Sequence, residues 1–272
     1  MLACDNFYGY NQPMKILRIA LAGPYLIFSI FSLFFLFNLL KLFQVKNYRI
    51  YHYFIALMLR IMLIICGIKV IVEGKEQLKT DQYYIFAVNH SSFFDHPIGF
   101  KAIPGYFSVT PLKFVFDFPI IGFLIKQAGY LPMERTFDKD KIENTLNNVV
   151  KALKNESILI YPEGKFSRDG KLQPFRRGTA EIAQRSGVPV IPMVIVGSSS
   201  ILPIPPFKPV GKGIWFFVYA LFWLGNSAMG MNPKTVRVIF KPPLNFNPGE
   251  TIEDFTARLR GNFTDLIEDG VK

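Results

Sequence analysis

The sequence predicts an α/β fold: a central, mostly parallel sheet flanked by helices and preceded by an N-terminal membrane-anchoring helical hairpin. Three observations predict it. Short apolar runs rich in Val, Ile, Tyr and Phe alternate with stretches of helical period from residue 69 onward, the pattern of strands joined by helical crossovers. Two long apolar runs precede them, at residues 19–40 and 53–68. The chain of 272 residues has room for one substantial domain plus membrane attachments. The expected division is therefore an anchoring region at 1–68 and a domain at 69–272.

Residues 19–40 contain no charged side chain and meet the roughly 20 residues a helix needs to cross the hydrocarbon core. A cleaved signal peptide fits less well, because the apolar stretch is too long and no A-x-A site follows; a buried helix of a soluble domain is the other reading. Lys41, Lys46 and Arg49 follow the run, against Lys15 and Arg18 before it, a bias toward a cytoplasmic carboxyl side. The second run carries Arg60 near its middle, costly for a full span but acceptable for a helix lying in the interface or re-entering the membrane. The domain is thus expected on the cytoplasmic face of a membrane.

Strands are expected at 69–73, 83–88, 107–109, 157–161, 190–196 and 235–241. Ile142, Leu146, Val149, Val150 and Leu153 recur at helical spacing, with Asp138 or Asp140 placed to cap the start. Other helices are expected from near Pro97, as one apolar turn after Phe118-Pro119-Ile120-Ile121-Gly122, around 179–185 and over 251–268, the last with Ile252, Phe255, Leu259, Phe263 and Leu266 on one face. An apolar insertion at about 203–232, with Trp215 and Trp223, interrupts the alternation. It reads as an interfacial helix or loop lying on the membrane, with a core-packed helix as the alternative.

Composition narrows the partners. A net charge of +11 points to anionic ones: lipid headgroups, phosphorylated substrates or nucleotide-bearing cofactors. Nucleic acid is not expected, since no Lys/Arg block, zinc-ligand spacing or nucleic-acid signature is present. The 28 phenylalanines crowd the first 60 residues and the segment near 216. Cys4 and Cys66 form no disulfide framework and suit reduced thiols.

The chemistry is expected where the strand 83–88 runs into Asn89-His90-Ser91-Ser92. That strand end delivers an imidazole to the carboxyl edge of the sheet, where open α/β sheets bind ligands. Asp95 can hold the ring of His90 by a hydrogen bond if the chain turns into a helix. Any chain with 20 Asp and Glu residues can contain that spacing by chance, and a histidine capping a helix is the plain alternative. His96 beside Asp95 is a conceivable metal ligand, but no third ligand is evident and no metal is expected.

Three further stretches follow: Gly129 to Arg135, Tyr161-Pro162-Glu163-Gly164, and Val188-Pro189-Val190-Ile191-Pro192. In order and separation the four resemble the glycerophospholipid acyltransferase family, which contains 1-acylglycerol-3-phosphate acyltransferase. Its boxes read N-H-x4-D, G-x-x-x-[IV]-x-R, F-P-E-G and V-P-[IV]-[IV]-P. The resemblance runs from about Val70 to Pro243 and includes Pro119–Gly122 and Pro174-Phe175-Arg176-Arg177-Gly178. It implies acyl transfer from acyl-CoA or acyl carrier protein to a lysophospholipid hydroxyl, with 1-acylglycerol-3-phosphate as leading acceptor, at a membrane and with no bound cofactor. His90 would be the general base and Asp95 its orienter, which suits a weakly nucleophilic hydroxyl.

Arg135 matches the family position that contacts the acceptor's phosphate, against the reading of a solvated loop arginine. Glu163 and Gly164 match the box that shapes the acceptor site. Where many members read E-G-T-R-S, this chain reads Glu163-Gly164-Lys165-Phe166-Ser167. Phe166 holds the arginine position, so Lys165 or Arg168 is expected to supply the charge. An E-G-K pattern also occurs in transacylase relatives. A coenzyme-A-independent transacylase, another lysolipid acceptor and a non-catalytic lipid-binding relative therefore stay open.

Overall fold

In the computed structural model, which describes residues 12–167, 169–201 and 235–269, apolar runs form a six-stranded sheet. The strands are β1 (Lys69–Glu73), β2 (Ile85–Val88), β3 (Phe107–Val109), β4 (Ser157–Ile160), β5 (Val190–Val196) and β6 (Thr235–Phe240). Their order is β1-β6-β5-β2-β4-β3, and every neighbouring pair is parallel except β5 with β6. β2 and β4 are buried at every residue, so they read as unbroken apolar runs rather than alternating ones. β6 alternates instead, with Val236, Val238 and Phe240 buried and Thr235 and Arg237 exposed. β1 and β6 therefore run together in one direction, opposite to β5, β2, β4 and β3. The insertion at 203–232, with Trp215 and Trp223, lies outside the described residues.

Successive side chains of each strand feed two separate cores. Phe86 and Val88 of β2, Leu159 of β4 and Met193 of β5 point to one face, and Ile85, Ala87, Ile158, Ile160 and Val194 to the other. The second face is covered by α5 (Lys139–Ala152), α6 (Gly178–Ser186) and α7 (Ile252–Asp269), whose Leu146, Val149, Ile182, Phe255 and Phe263 complete that core. Asp138 is the cap of α5, its carboxylate accepting from the amides of Asp140 at 3.1 Å and Lys141 at 3.3 Å.

The first face carries α1 (Gln12–Leu42), α2 (Tyr48–Ile65), α3 (Asp95–Ala102) and α4 (Pro119–Gln127). Leu33, Phe37, Tyr51, Ile55, Ala56 and Leu63 of the α1–α2 hairpin share one apolar core with Phe86, Val88 and Val238 of the sheet. Arg60, the single charge in the second apolar run, turns toward the domain. Its guanidinium donates two hydrogen bonds, at 3.2 and 3.1 Å, to the carbonyl of Phe100 near the carboxyl end of α3, where the helix dipole favours a cation. The opposite side of the hairpin exposes Phe28, Phe31, Phe35, Leu39, Leu57 and Ile64. Ala20–Leu42 and Tyr48–Ile65, of mean hydropathy 2.0 and 1.5, are long and apolar enough to cross a membrane. An apolar surface of this size that the protein does not cover marks a contact with lipid or another apolar partner.

Candidate active site

β2 ends at Val88, and its pairing with β5 is continued by a side chain. The Asn89 carboxamide donates to the carbonyl of Ile195 at 2.9 Å and accepts from the Ile195 amide at 2.7 Å. This mimics one more step of the ladder while releasing the main chain to turn away. The turn brings His90, Ser91 and Ser92 over the carboxyl edge of the sheet, where Asp95 opens α3.

Asp95 is fully buried. Its Oδ2 accepts from the Ser91 amide at 2.7 Å and the Ser92 amide at 2.8 Å, and lies 3.0 Å from Nδ1 of His90. An oxygen that already accepts from two amides is an acceptor for the ring as well. Nδ1 is therefore the protonated nitrogen, and Nε2 is left with its lone pair. The carboxylate's other oxygen has no partner among the described residues, so its charge is met by the ring and two amides alone. Burial holds His90 below the usual histidine pKa, and the Asp95 carboxylate opposes that by favouring the imidazolium.

Two aromatic rings enclose the imidazole. Tyr161 stacks on it at 3.8 Å and 15°, and Phe166 lies 3.8 Å away at 33°, with Phe93 behind Phe166 at 5.1 Å. Neither contact was legible in the spacing, because Tyr161 and Phe166 sit at the two ends of a turn that only the folded chain closes around His90. His96 lies 5.3 Å from His90, and burial drives it down to about 3, so it stays neutral. Ser91 and Ser92 act through their amides, and the Ser91 hydroxyl pairs with that of Ser198 at 3.1 Å.

Glu163 is buried and strung between two segments. Oε1 accepts from the His90 amide at 2.9 Å and Oε2 from the Gln173 amide at 2.8 Å, while the Ser167 amide donates to the His90 carbonyl at 2.7 Å. Glu163 thus shapes the site by fixing the backbone of His90 rather than by presenting a free oxygen. Burial, outweighing those two amide bonds, raises its pKa to about 7. Gly164 takes a positive φ of 62°, and what crosses its face is a side chain: a Cβ there would meet Cδ and Nε of Arg176 at 2.6 Å.

Arg135 is exposed on the segment that follows the Leu112–Met133 bridge, beside the Lys113–Glu134 ion pair, and makes no bond to His90. Lys165 is exposed next to Gly164. Arg168 lies outside the described residues. His90, Asp95 and Glu163 are therefore assembled into one hydrogen-bonded unit with Gly164 beside it, while Arg135 and Lys165 are exposed and make no hydrogen bond to it among the described residues.

Residues 69–196 match the family model described as Acyltransferase, a span running from β1 to the end of β5 and containing every residue of the His90 unit. The chain carries an acyltransferase-family domain over that span. It is 30% identical over 156 residues to 1-acyl-sn-glycerol-3-phosphate acyltransferase BAT2, chloroplastic, of Brassica napus, covering 57% of this chain and 45% of the relative. It is 30% identical over 214 residues to the 1-acyl-sn-glycerol-3-phosphate acyltransferase of Limnanthes douglasii, covering 75% of this chain and 63% of that one. The alignments span about half the length of the first curated relatives it matches. The fold resembles the crystal structure of the 1-acyl-sn-glycerophosphate (LPA) acyltransferase PlsC from Thermotoga maritima, with a TM-score of 0.68 at 19% identity over 94% of this chain and 97% of that one. The chain therefore shares its fold with that protein along nearly its whole length.

Proposed function

We propose that the protein is a membrane-associated O-acyltransferase. It moves a fatty acyl chain from a thioester, acyl-CoA or acyl carrier protein, to the hydroxyl of a lysophospholipid, with 1-acylglycerol-3-phosphate as acceptor and phosphatidic acid as product. The observation that carries this reading is the 3.0 Å contact between His90 Nδ1 and Asp95 Oδ2, which leaves Nε2 as the proton acceptor beside a site lined by apolar rings.

In the proposed reaction Nε2 of His90 takes the hydroxyl proton as the acceptor oxygen bonds to the thioester carbonyl carbon. Asp95 stabilises the imidazolium that forms. The carbon–sulfur bond then breaks, the sulfur leaves with the proton returned by Nε2, and an oxygen ester remains. No serine nucleophile is needed, and Ser91 and Ser92 have structural work. Tyr161 and Phe166 keep water from the base, which disfavours hydrolysis of the donor. Arg135, Lys165 and Arg168 would meet the acceptor's anionic headgroup. The exposed face of the α1–α2 hairpin would rest in the bilayer that supplies the acceptor.

The test is acyl transfer by the purified protein and a His90→Ala variant, with radiolabelled acyl-CoA, acyl carrier protein or phospholipid donors and a panel of lysolipids. Turnover on 1-acylglycerol-3-phosphate that the variant lacks supports the reading. Transfer from phospholipid without coenzyme A would replace it with the transacylase reading. No turnover above the variant on any pair would sink it.

A further inference from the structure

Four described arginines of the domain are answered by a carboxylate: Arg177 by Glu181, Arg185 by Glu143, Arg237 by Glu73 and Arg258 by Glu250. Arg176 is not. Its guanidinium is exposed and has no ion pair or hydrogen bond among the described residues, yet its position is held closely. The Arg176 amide donates to the carbonyl of Pro162 at 2.8 Å, and its side chain lies across Gly164 so tightly that no Cβ fits there. The strand of chain that carries it is tied to the base itself, since one carboxylate, Glu163, accepts from both the Gln173 and His90 amides. Meanwhile position 166, one step beyond Lys165, is taken by a ring stacked on the imidazole and carries no charge.

We propose that Arg176 is a phosphate-binding group of this site. The inference rests on the acyltransferase reading, in which both substrates can bring a phosphate: the headgroup of the acceptor, on the carbon next to one that bears a hydroxyl, and the phosphates of a coenzyme A donor. A guanidinium suits either, because its planar fork can give two parallel bonds to a phosphate. A cation without a carboxylate partner binds such an anion without first breaking an ion pair. Gly164 is then required for a reason other than its own backbone: any side chain at 164 would displace Arg176.

The experiment is equilibrium binding, to the full chain in detergent micelles, of radiolabelled 1-acylglycerol-3-phosphate and, separately, of radiolabelled coenzyme A. It compares the His90→Ala protein, which binds without turnover, with His90→Ala carrying Arg176→Ala or Arg176→Lys. Arg176→Ala should weaken one of the two ligands roughly 10- to 100-fold, with Arg176→Lys recovering part of the loss. The affected ligand identifies which phosphate is held, and 1-monoacylglycerol, which has none, should bind all three proteins alike. Unchanged affinity for both phosphates overturns the proposal, as does an equal loss for 1-monoacylglycerol. Binding that behaves as expected in a protein without transferase activity would sink the acyltransferase reading alone. A His90→Ala protein that binds neither ligand would sink this proposal.

Discussion

The ring of Phe166 lies 3.8 Å from the imidazole of His90, centroid to centroid. A phenyl ring there, on the other side of the imidazole from Tyr161, removes water from the proposed proton acceptor. Replacing Phe166 by alanine admits water, so the His90 pKa should rise toward its ordinary value and the acid limb of kcat/KM should move to higher pH. Hydrolysis of acyl-CoA without acceptor should rise several-fold. A pH profile identical to that of the wild type would show that the ring does not control the base.

In the proposed mechanism His90 works only when neutral, and burial depresses its pKa. Activity should therefore hold through pH 6.5 and fall at lower pH, as the imidazole becomes protonated. Asp95→Asn removes the charge that favours the imidazolium. Its acid limb should lie lower still, and its plateau rate should fall by about 10²- to 10⁴-fold. Steady-state rates between pH 5 and 8 would check both signs.

Glu163 has a folded-state pKa of about 7, above the ordinary 4.5 of the unfolded chain. Between those values the folded state binds the extra proton, so the stabilisation is complete below 4.5 and is lost as pH rises through 7. The effect is on the order of 3 kcal/mol. Glu163→Gln should flatten that part of the stability profile in urea melts at pH 5 and pH 8. It should also lower activity at every pH, since a carboxamide can accept from only one of the two amides.

Asn89 satisfies both backbone groups of Ile195 inside the core. Asn89→Ala leaves a buried N–H and a buried C=O unpaired and should cost about 2–4 kcal/mol, read from the midpoint of denaturation. Asn89→Asp keeps the acceptor but sets an oxygen against the Ile195 carbonyl, and should be no more stable than the alanine variant.

Arg60→Met keeps the bulk and apolar character of α2 but loses both bonds to Phe100. Hydrogen exchange along α2 should accelerate while β2 and β4 stay protected. Equal protection in both proteins would mean that apolar packing alone docks the hairpin.

Local periodicity and composition were enough to read the alternation of strands and helices, the apolar hairpin and the candidate base with its carboxylate. Those features depend on neighbours in the chain: a buried strand needs a short apolar run, and His90 and Asp95 are only five positions apart. Tertiary structure alone decided the rest. Glu163 reaches the His90 amide across 73 positions, and the Asn89 side chain meets Ile195 across 106. The rings that enclose the base and the arginine that crosses Gly164 belong to the same class of contact. The charge of Arg60 is likewise answered only by a carbonyl 40 residues away. Sequence shows which side chains are able to carry chemistry; pairing of β2 with β4 and β5 chooses the ones that meet, because it sets the distances on which hydrogen bonds and burial depend.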